Sequence, residues 1–231
     1  MTPNINPKNI KLTIIVGHYG SGKTEFSVNY AEYMQSQGEN VAIADLDIVN
    51  PYFRSREIAD ELNSKGIRVI ASSLSVKDSN SIDLPSVSAE FNVLTQTDKY
   101  FGIIDVGGNP VGATALGRFS ENIEKIDYKM WMVVNANRPE TTTVQQVVDF
   151  MEGIELKSKL KINGLVNNTH LVRETSEQDI LAGDKLVREV SEYTGLPVVY
   201  ASYIENMVDM SKYDLAGKKF PMKLLMRPEW L

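Results

Sequence analysis

Short apolar runs recur along the chain and are separated by glycine, proline and asparagine residues. Most of these runs are apolar throughout and do not alternate with polar positions. Such runs are typical of parallel strands that helices cover on both faces. The pattern predicts strands over residues 11–16, 41–45, 67–71, 100–105, 129–135, 161–167 and 197–201.

Segments with apolar residues at helical spacing lie between these strands. In residues 23–37, Phe26, Tyr30 and Met34 have this spacing, and Gly38 follows as a helix stop. The C-terminal stretch is expected to be partly helical. The other predicted helices cover residues 54–65, 86–95, 113–124, 142–159 and 177–193, the last with Thr175 or Ser176 as its cap.

Alternating strands and helices predict an α/β fold, with a doubly wound, mostly parallel sheet flanked by helices. We expect residues 1–231 to form a single domain, with a core over about 10–209 and a C-terminal extension over 210–231. Right-handed crossovers bring the strand C-termini to one edge, where ligands bind in open α/β sheets. The loops expected to converge there follow Val16, Asp45, Asp105, Asn135, Asn167 and Ala201.

Composition removes several classes of function. The chain has no cysteine, which excludes disulfides, thiolate metal sites and a cysteine nucleophile. Its net charge of −6 disfavours non-specific nucleic-acid binding. The sequence shows neither a signal-peptide pattern nor an apolar run long enough to span a membrane, so we expect a cytoplasmic protein that binds no membrane.

The loop over residues 17–24, GHYGSGKT, satisfies the pattern G-x-x-x-x-G-K-[ST] between a predicted strand and a predicted helix. Glycines allow backbone N–H groups to surround phosphates, and the helix N-terminus adds partial positive charge. Lys23 is expected to reach the β- and γ-phosphates, and Thr24 to ligate Mg²⁺. The loop predicts binding of a nucleoside triphosphate, with Gly20, Ser21 and Gly22 among the contacting residues.

Acidic residues end two of the predicted strands. Asp105 is placed to hold a magnesium-bound water, and Gly108, three residues later, to donate its N–H to the γ-phosphate. Asp45 and Asp47 close the second strand, where one could orient the attacking water and the other support Mg²⁺. The alternative is that these aspartates only cap strand ends and turns.

At these residues the chain resembles the ParA/MinD/nitrogenase-iron-protein class of P-loop ATPases, from residue 11 to about 209. The resemblance implies the P-loop NTPase fold, with ATP or ADP and Mg²⁺ as cofactors. It implies that Asp47 orients the attacking water and ligates Mg²⁺ together with Thr24 and Asp105. The remaining nucleotide-binding residues that we assign are Glu25 directly after the loop, Asn168 as an adenine reader, and Glu205 in the last base-contacting loop.

One position departs from this class. Many members have a lysine directly after the first loop glycine that reaches the nucleotide of a dimer partner, and this chain has His18. His18 either makes a weaker form of that contact or is a neutral loop residue. A homodimer therefore stays an open option, and Arg118 or Arg138 are alternative sources of positive charge.

Adenine is favoured over guanine as the base. The guanine-reading [NT]KxD signature of GTPases is absent, and the corresponding strand ends in Asn167-Asn168-Thr169-His170. An asparagine amide both donates to and accepts from an adenine edge. The alternative is that both asparagines only turn the chain.

Three other segments each allow two interpretations. Residues 135–140 either line the nucleotide or partner site or form a loop and helix cap. Residues 72–85 are either a mobile lid or a plain surface loop. Residues 222–227 are either a membrane-binding tail or a segment docked on the domain, and docking is favoured because the stretch is short and Pro228 interrupts it.

These features predict a slow Mg²⁺-dependent ATPase that acts as a nucleotide switch on a protein client. A small-molecule kinase or ATP-dependent synthetase is the first alternative, with Arg54 and Arg56 as candidate substrate ligands. A binding module that does not turn over its nucleotide is the second alternative.

Overall fold

The computed structural model describes residues 11–46, 59–71, 85–108 and 110–226. Strands form wherever the apolar runs predicted them, and one further strand forms near the C-terminus. The strands are β1 (Lys11–Gly17), β2 (Val41–Leu46), β3 (Arg68–Ala71), β4 (Phe101–Val106), β5 (Asp127–Val134), β6 (Gly164–Asn167), β7 (Val198–Ile204) and β8 (Lys218–Met222).

The eight described strands form one sheet in the order β3-β2-β4-β1-β5-β6-β7-β8. Every strand pair is parallel, which confirms the predicted α/β class and makes the described sheet parallel throughout. Strand β1 connects to β2 on the side of β4, whereas the connection that follows β4 returns past β1 to β5 on its other side. This reversal opens a crevice at the C-terminal end of β1, where the phosphate loop begins.

Helices occupy both sides of the sheet, as predicted. Helices α6 and α7 begin at capping boxes, in which Thr143 pairs with Gln146 and Ser176 with Asp179. Among the described residues, none of the helices combines the length and apolar character needed to cross a lipid bilayer. The helices are α1 (Lys23–Ser36), α2 (Ala59–Ser64), α3 (Pro85–Gln96), α4 (Pro110–Gly117), α5 (Ser120–Ile123), α6 (Val144–Ser158) and α7 (Glu177–Thr194).

Two predictions about secondary structure were wrong. Residues 113–124 were predicted as one helix, but α4 ends at Gly117, where an added Cβ atom would lie 2.6 Å from the Lys157 carbonyl oxygen. The C-terminal stretch was predicted to be partly helical, but its described part, residues 205–226, contains the edge strand β8 and no helix. Pro221 fits an edge strand, because proline cannot donate to a second neighbour.

The sheet separates two apolar cores. Leu12, Ile14 and Val16 face the core under α3, α4, α6 and α7, whereas Ile15 faces the core under α1. Residues that alternate in a strand point to opposite faces, so a continuous apolar run fills both cores. Burial on both sides fixes the register of β1 and thereby the position of the loop that follows it.

Candidate functional site

The phosphate loop connects β1 to the first turn of α1. Gly20 and Gly22 adopt left-handed conformations with φ of 75° and 76°, which glycine adopts without strain. The Ser21 N–H donates to the His18 carbonyl at 3.0 Å, which closes the turn. A Cβ atom at Gly22 would lie 2.4 Å from Asn168 Nδ2, so the loop also depends on glycine for space.

Lys23 and Gly108 lie side by side. Lys23 is the first residue of α1 and is only 6% exposed. A Cβ atom added to Gly108 would lie 3.1 Å from Lys23 Nζ and 2.8 Å from the Tyr19 backbone nitrogen. The structure therefore brings the glycine of the D-x-x-G sequence against the phosphate loop, which is the position that its proposed γ-phosphate contact requires.

Thr24 and Asp105 meet in a direct hydrogen bond. The Thr24 hydroxyl donates to Asp105 Oδ2 at 2.6 Å, and the Ser27 hydroxyl lies 3.3 Å from Oδ1. Asp105 is completely buried. The sequence analysis did not assign Ser27, although it lies one helical turn after Lys23 and so shares its face of α1.

Asp45 lies beside Asp105 on the neighbouring strand, since the two are register partners of β2 and β4. Register partners on parallel strands point to the same face, and both side chains are buried. With the Thr24 hydroxyl they provide hard oxygen donors, which Mg²⁺ prefers. No group of three or more acidic, histidine or cysteine residues that could hold a metal ion occurs among the described residues.

Asn168 braces the phosphate loop. Its Nδ2 donates to the Ser21 carbonyl at 2.7 Å, and its Oδ1 accepts from the Ser202 hydroxyl at 2.7 Å. The side chain is 3% exposed and lines the cavity next to the loop. The structure thus places Asn168 at the site as expected, with both amide groups already engaged by the protein.

Residues 135–138 brace the same loop from the other side. Asn135 Nδ2 donates to the Gly20 carbonyl at 3.3 Å, and Arg138 Nε donates to it at 2.9 Å. Arg138 lines the cavity, and Thr143, which follows the segment over residues 135–140, caps α6. Arg118 follows Gly117, which packs on the carbonyl of Lys157 at the opposite end of α6, so Arg118 lies away from the phosphate loop.

A cavity extends from the phosphate loop toward β7 and β8. Polar and charged groups of the loop and of α1 line one part of it, and apolar side chains line another. Glu205 is exposed and does not line it, which argues against the predicted base contact. The lining residues near the phosphate loop include Gly20, Lys23, Thr24, Glu25, Arg138 and Asn168. The apolar lining residues include Val172, Ile204, Met222, Leu224 and Met226.

Glu25 has a partner that the sequence analysis did not foresee. Its carboxylate accepts the backbone N–H groups of Leu225 and Met226, so it holds the C-terminal segment. Glu25 also lines the cavity, and its assignment as a nucleotide ligand stays a prediction. Met222 and Met226 are buried in the core under α1, which confirms docking for the described part of this segment.

His18 lies beside Phe150 and near Glu140. Its ring packs edge-on against Phe150 with centroids 5.0 Å apart, and Nδ1 lies 3.8 Å from Glu140 Oε2. These contacts fit the interpretation of His18 as a loop residue. Asp47, Arg54, Arg56 and almost all of the segment over residues 72–85 lie outside the described residues.

Comparison with known proteins supports the fold. No protein-family model matches the sequence, and no curated protein matches it significantly. Similar solved structures include FtsY from Mycoplasma mycoides, at 17% identity and a TM-score of 0.56, over 82% of this chain and 58% of that one. The cell division protein FtsY from Thermotoga maritima matches at 17% identity and a TM-score of 0.56, over 86% of this chain and 64% of that one.

The signal recognition particle receptor FtsY from Elizabethkingia anophelis, in complex with GDP, matches at 17% identity and a TM-score of 0.51. That match covers 85% of this chain and 58% of the receptor. The chain thus spans 58% to 64% of the length of these structures. Together the matches show that the chain has the P-loop NTPase fold.

Proposed function

We propose that this protein binds a magnesium nucleoside triphosphate, preferably ATP, and hydrolyses it slowly as a switch that acts on a protein client. The observation that carries the proposal is the contact between Thr24 and Asp105 at 2.6 Å, next to the buried Lys23. A hydroxyl, a carboxylate and an ammonium group at the N-terminus of a helix form a set that suits a metal-bound triphosphate.

The residues of the site have separate roles in phosphoryl transfer. The loop N–H groups and Lys23 stabilise the negative charge that develops on the phosphates. Thr24 and Asp105, with Asp45 beside them, would hold Mg²⁺, which supplies further charge neutralisation when it is bound. Asp47 orients the attacking water, the role that the family resemblance implies.

The switch is supported by the packing of the segment after β4. Gly108 lies against Lys23 and Tyr19, and this proximity to the phosphate loop supports a contact between its N–H and a γ-phosphate. An added Cβ atom at Gly112, in the first turn of α4, would lie 2.7 Å from the Gly107 carbonyl oxygen. Because Gly107 and α4 pack this closely, a displacement of Gly108 on loss of phosphate is passed to α4 and to the surface that α4 presents.

Adenine preference is supported by the lining of the cavity. Guanine reading by a side chain uses a carboxylate that accepts from the base. Among the described lining residues the only carboxylate is Glu25, and it already accepts N–H groups from Leu225 and Met226. The apolar lining residues toward β7 and β8 carry no charge, and this favours ATP. One FtsY structure of the same fold, by contrast, contains GDP.

Membership in the ParA/MinD/nitrogenase-iron-protein class is the finer part of the proposal. It is supported by the sequence at Asp45, Asp47 and Asp105 and by the place of Asp105 at the loop. A homodimer of the kind that uses a lysine across the interface is not favoured, because His18 is packed against Phe150. The client is proposed to be a protein, in the cytoplasm, since the net charge of −6 disfavours nucleic acid.

Isothermal titration calorimetry with Mg-ATP, Mg-GTP and the variant Lys23→Ala tests the proposal. The wild type should bind ATP more tightly than GTP, and Lys23→Ala should bind neither. Lys185→Ala on α7 is the control, because its side chain is 81% exposed and makes only a loose ion pair. Wild-type affinity in Lys23→Ala would contradict triphosphate binding through the phosphate loop, whereas tighter GTP binding would contradict only the choice of base.

A pull-down with and without a non-hydrolysable ATP analogue separates the switch from the kinase alternative. A switch should capture a protein in one nucleotide state and release it in the other. Transfer of phosphate to a small molecule, with no nucleotide-dependent partner, would favour the kinase or synthetase instead.

A further inference from the structure

The end of the described chain returns to the start of α1. After β8, residues 223–226 run beside α1 and are held by two of its side chains. Asn29 Nδ2 donates to the Lys223 carbonyl at 2.9 Å, and the Lys223 N–H donates to Asn29 Oδ1 at 2.8 Å. One turn earlier on α1, the Glu25 carboxylate accepts the N–H groups of Leu225 and Met226.

This segment presents every second side chain to the cavity. Met222, Leu224 and Met226 line it, whereas Lys223 is exposed. Met222 and Met226 are almost fully buried, and Leu224 is half-buried at the surface of the cavity.

The sheet order places this apolar face on the nucleoside side of the site. Asp105 and Asp45 lie on β4 and β2, on one side of β1, whereas β7 and β8 lie on the other side. The phosphate and magnesium groups therefore belong near β4, and the rest of a nucleotide extends toward β8. On that side Val172 and Ile204 complete an apolar surface with the C-terminal segment.

We propose that Met222, Leu224 and Met226 form the wall on which the nucleobase lies, and that Asn29 and Glu25 position this wall. The inference rests on the proposed binding of a nucleoside triphosphate and assigns its base-contacting surface. A flat aromatic base suits such a surface, because methionine sulfur and aliphatic carbons pack favourably against aromatic faces. The wall contacts the base and not the phosphates, so it contributes only to binding of a complete nucleotide.

Asn29 and Glu25 form a clamp on the C-terminal segment, and the position of Glu25 links the wall to the phosphate site. Glu25 directly follows Thr24 in the first turn of α1, so one helical turn carries both a magnesium-ligand candidate and the anchor of the wall. A nucleotide that contacts both should stabilise the docked segment, and a docked segment should strengthen nucleotide binding to the same degree.

Calorimetry with Mg-ATP and with inorganic tripolyphosphate as separate probes tests the inference. The variants are Leu224→Ser, which makes the wall polar, and Asn29→Ala, which removes the clamp on Lys223. Each should weaken ATP binding by about tenfold, the usual effect of a lost apolar contact in a ligand pocket. Each should bind tripolyphosphate with wild-type affinity. Leu156→Ser is the matched control, because Leu156 is 78% exposed on α6, and it should leave both affinities unchanged.

The outcomes separate this inference from the proposed function. Wild-type ATP affinity in Leu224→Ser would overturn the wall and leave triphosphate binding intact. Circular dichroism checks that Leu224→Ser is folded. An equal loss of affinity for ATP and for tripolyphosphate in the folded variant would also overturn the wall, because the segment would then affect the whole site. A wild-type protein that binds neither probe would overturn both proposals.

Discussion

Asp45 and Asp105 are buried side by side on neighbouring parallel strands, at the same level of the sheet. Two buried carboxylates at this separation repel each other unless positive charge lies close to them. The Thr24 hydroxyl and the Lys23 side chain are at the same edge, and both belong to a loop whose pattern predicts phosphate binding. A magnesium ion bound beside the pair would offset this repulsion further, as the proposed metal site requires.

Replacement of Asp105 by asparagine tests this relationship. Asp105→Asn keeps an acceptor for Thr24 but removes a negative charge, so magnesium-dependent ATP affinity should fall by about 10- to 100-fold. ATP affinity measured in EDTA should change little. Calorimetry with and without Mg²⁺ provides both values. If the variant lost the same factor under both conditions, Asp105 would contribute to the loop geometry and not to the metal site.

Hydrolysis should depend on Asp47, the residue to which the family resemblance assigns the attacking water. Asp47→Ala should bind Mg-ATP with nearly wild-type affinity, and phosphate release should fall by about 100-fold or more, the effect of losing a general base. The exposed Asp60 at the start of α2 provides a control, since Asp60→Ala should hydrolyse at the wild-type rate. Undiminished phosphate release by Asp47→Ala would remove its assigned role.

The glycines of the chain offer a matched pair of substitutions. Gly22 and Gly38 both have positive φ, of 76° and 89°, so alanine at either costs about 1 to 2 kcal/mol of backbone strain. At Gly38 nothing lies within 4 Å of an added Cβ atom, whereas at Gly22 the Asn168 amide is 2.4 Å away. Gly38→Ala should therefore lower only stability, and Gly22→Ala should also abolish ATP binding. Urea denaturation and calorimetry measure the two effects, and intact ATP binding by Gly22→Ala would contradict the expected loop geometry.

Much of the architecture was predictable because burial on both faces leaves a clear signal. The apolar runs that became β1, β2 and β4 are short and uninterrupted, and the phosphate loop has a defined spacing between a strand and a helix. Strand β8 was not predicted, because Lys218–Met222 is a short edge strand with only Phe220 and Met222 buried. Such a segment carries too little apolar pattern to be distinguished from a loop.

The contacts around the loop were less predictable than the loop itself. Asn168 was expected to read a base, yet its amide group bonds to Ser21 and to Ser202. These partners lie 147 and 34 residues from Asn168 along the chain. Glu25 was expected to contact nucleotide, yet it holds residues about 200 positions later. The identity of a residue indicates which hydrogen bonds it is able to make, but the partner depends on tertiary packing that has no local signal.

The capping box of α7 should make stability depend on pH. Hydrogen bonds from the hydroxyl and the backbone N–H of Ser176 lower the pKa of Asp179, and Asn137 Nδ2 donates to it at 3.0 Å. Because the folded pKa is below the unfolded value of about 3.9, the stabilisation is complete above that value and is lost as pH falls through the folded pKa.

Asp179→Ala should cost less than about 1 kcal/mol at pH 7, since the site is partly exposed and water screens it. The cost should disappear in denaturant titrations at the acid end of that window. Glu189→Ala, on the same helix and 4.0 Å from Lys185, is the control variant and should cost little at pH 7. A cost for Asp179→Ala that is equal at neutral and acid pH would show that its charge does not stabilise the helix start.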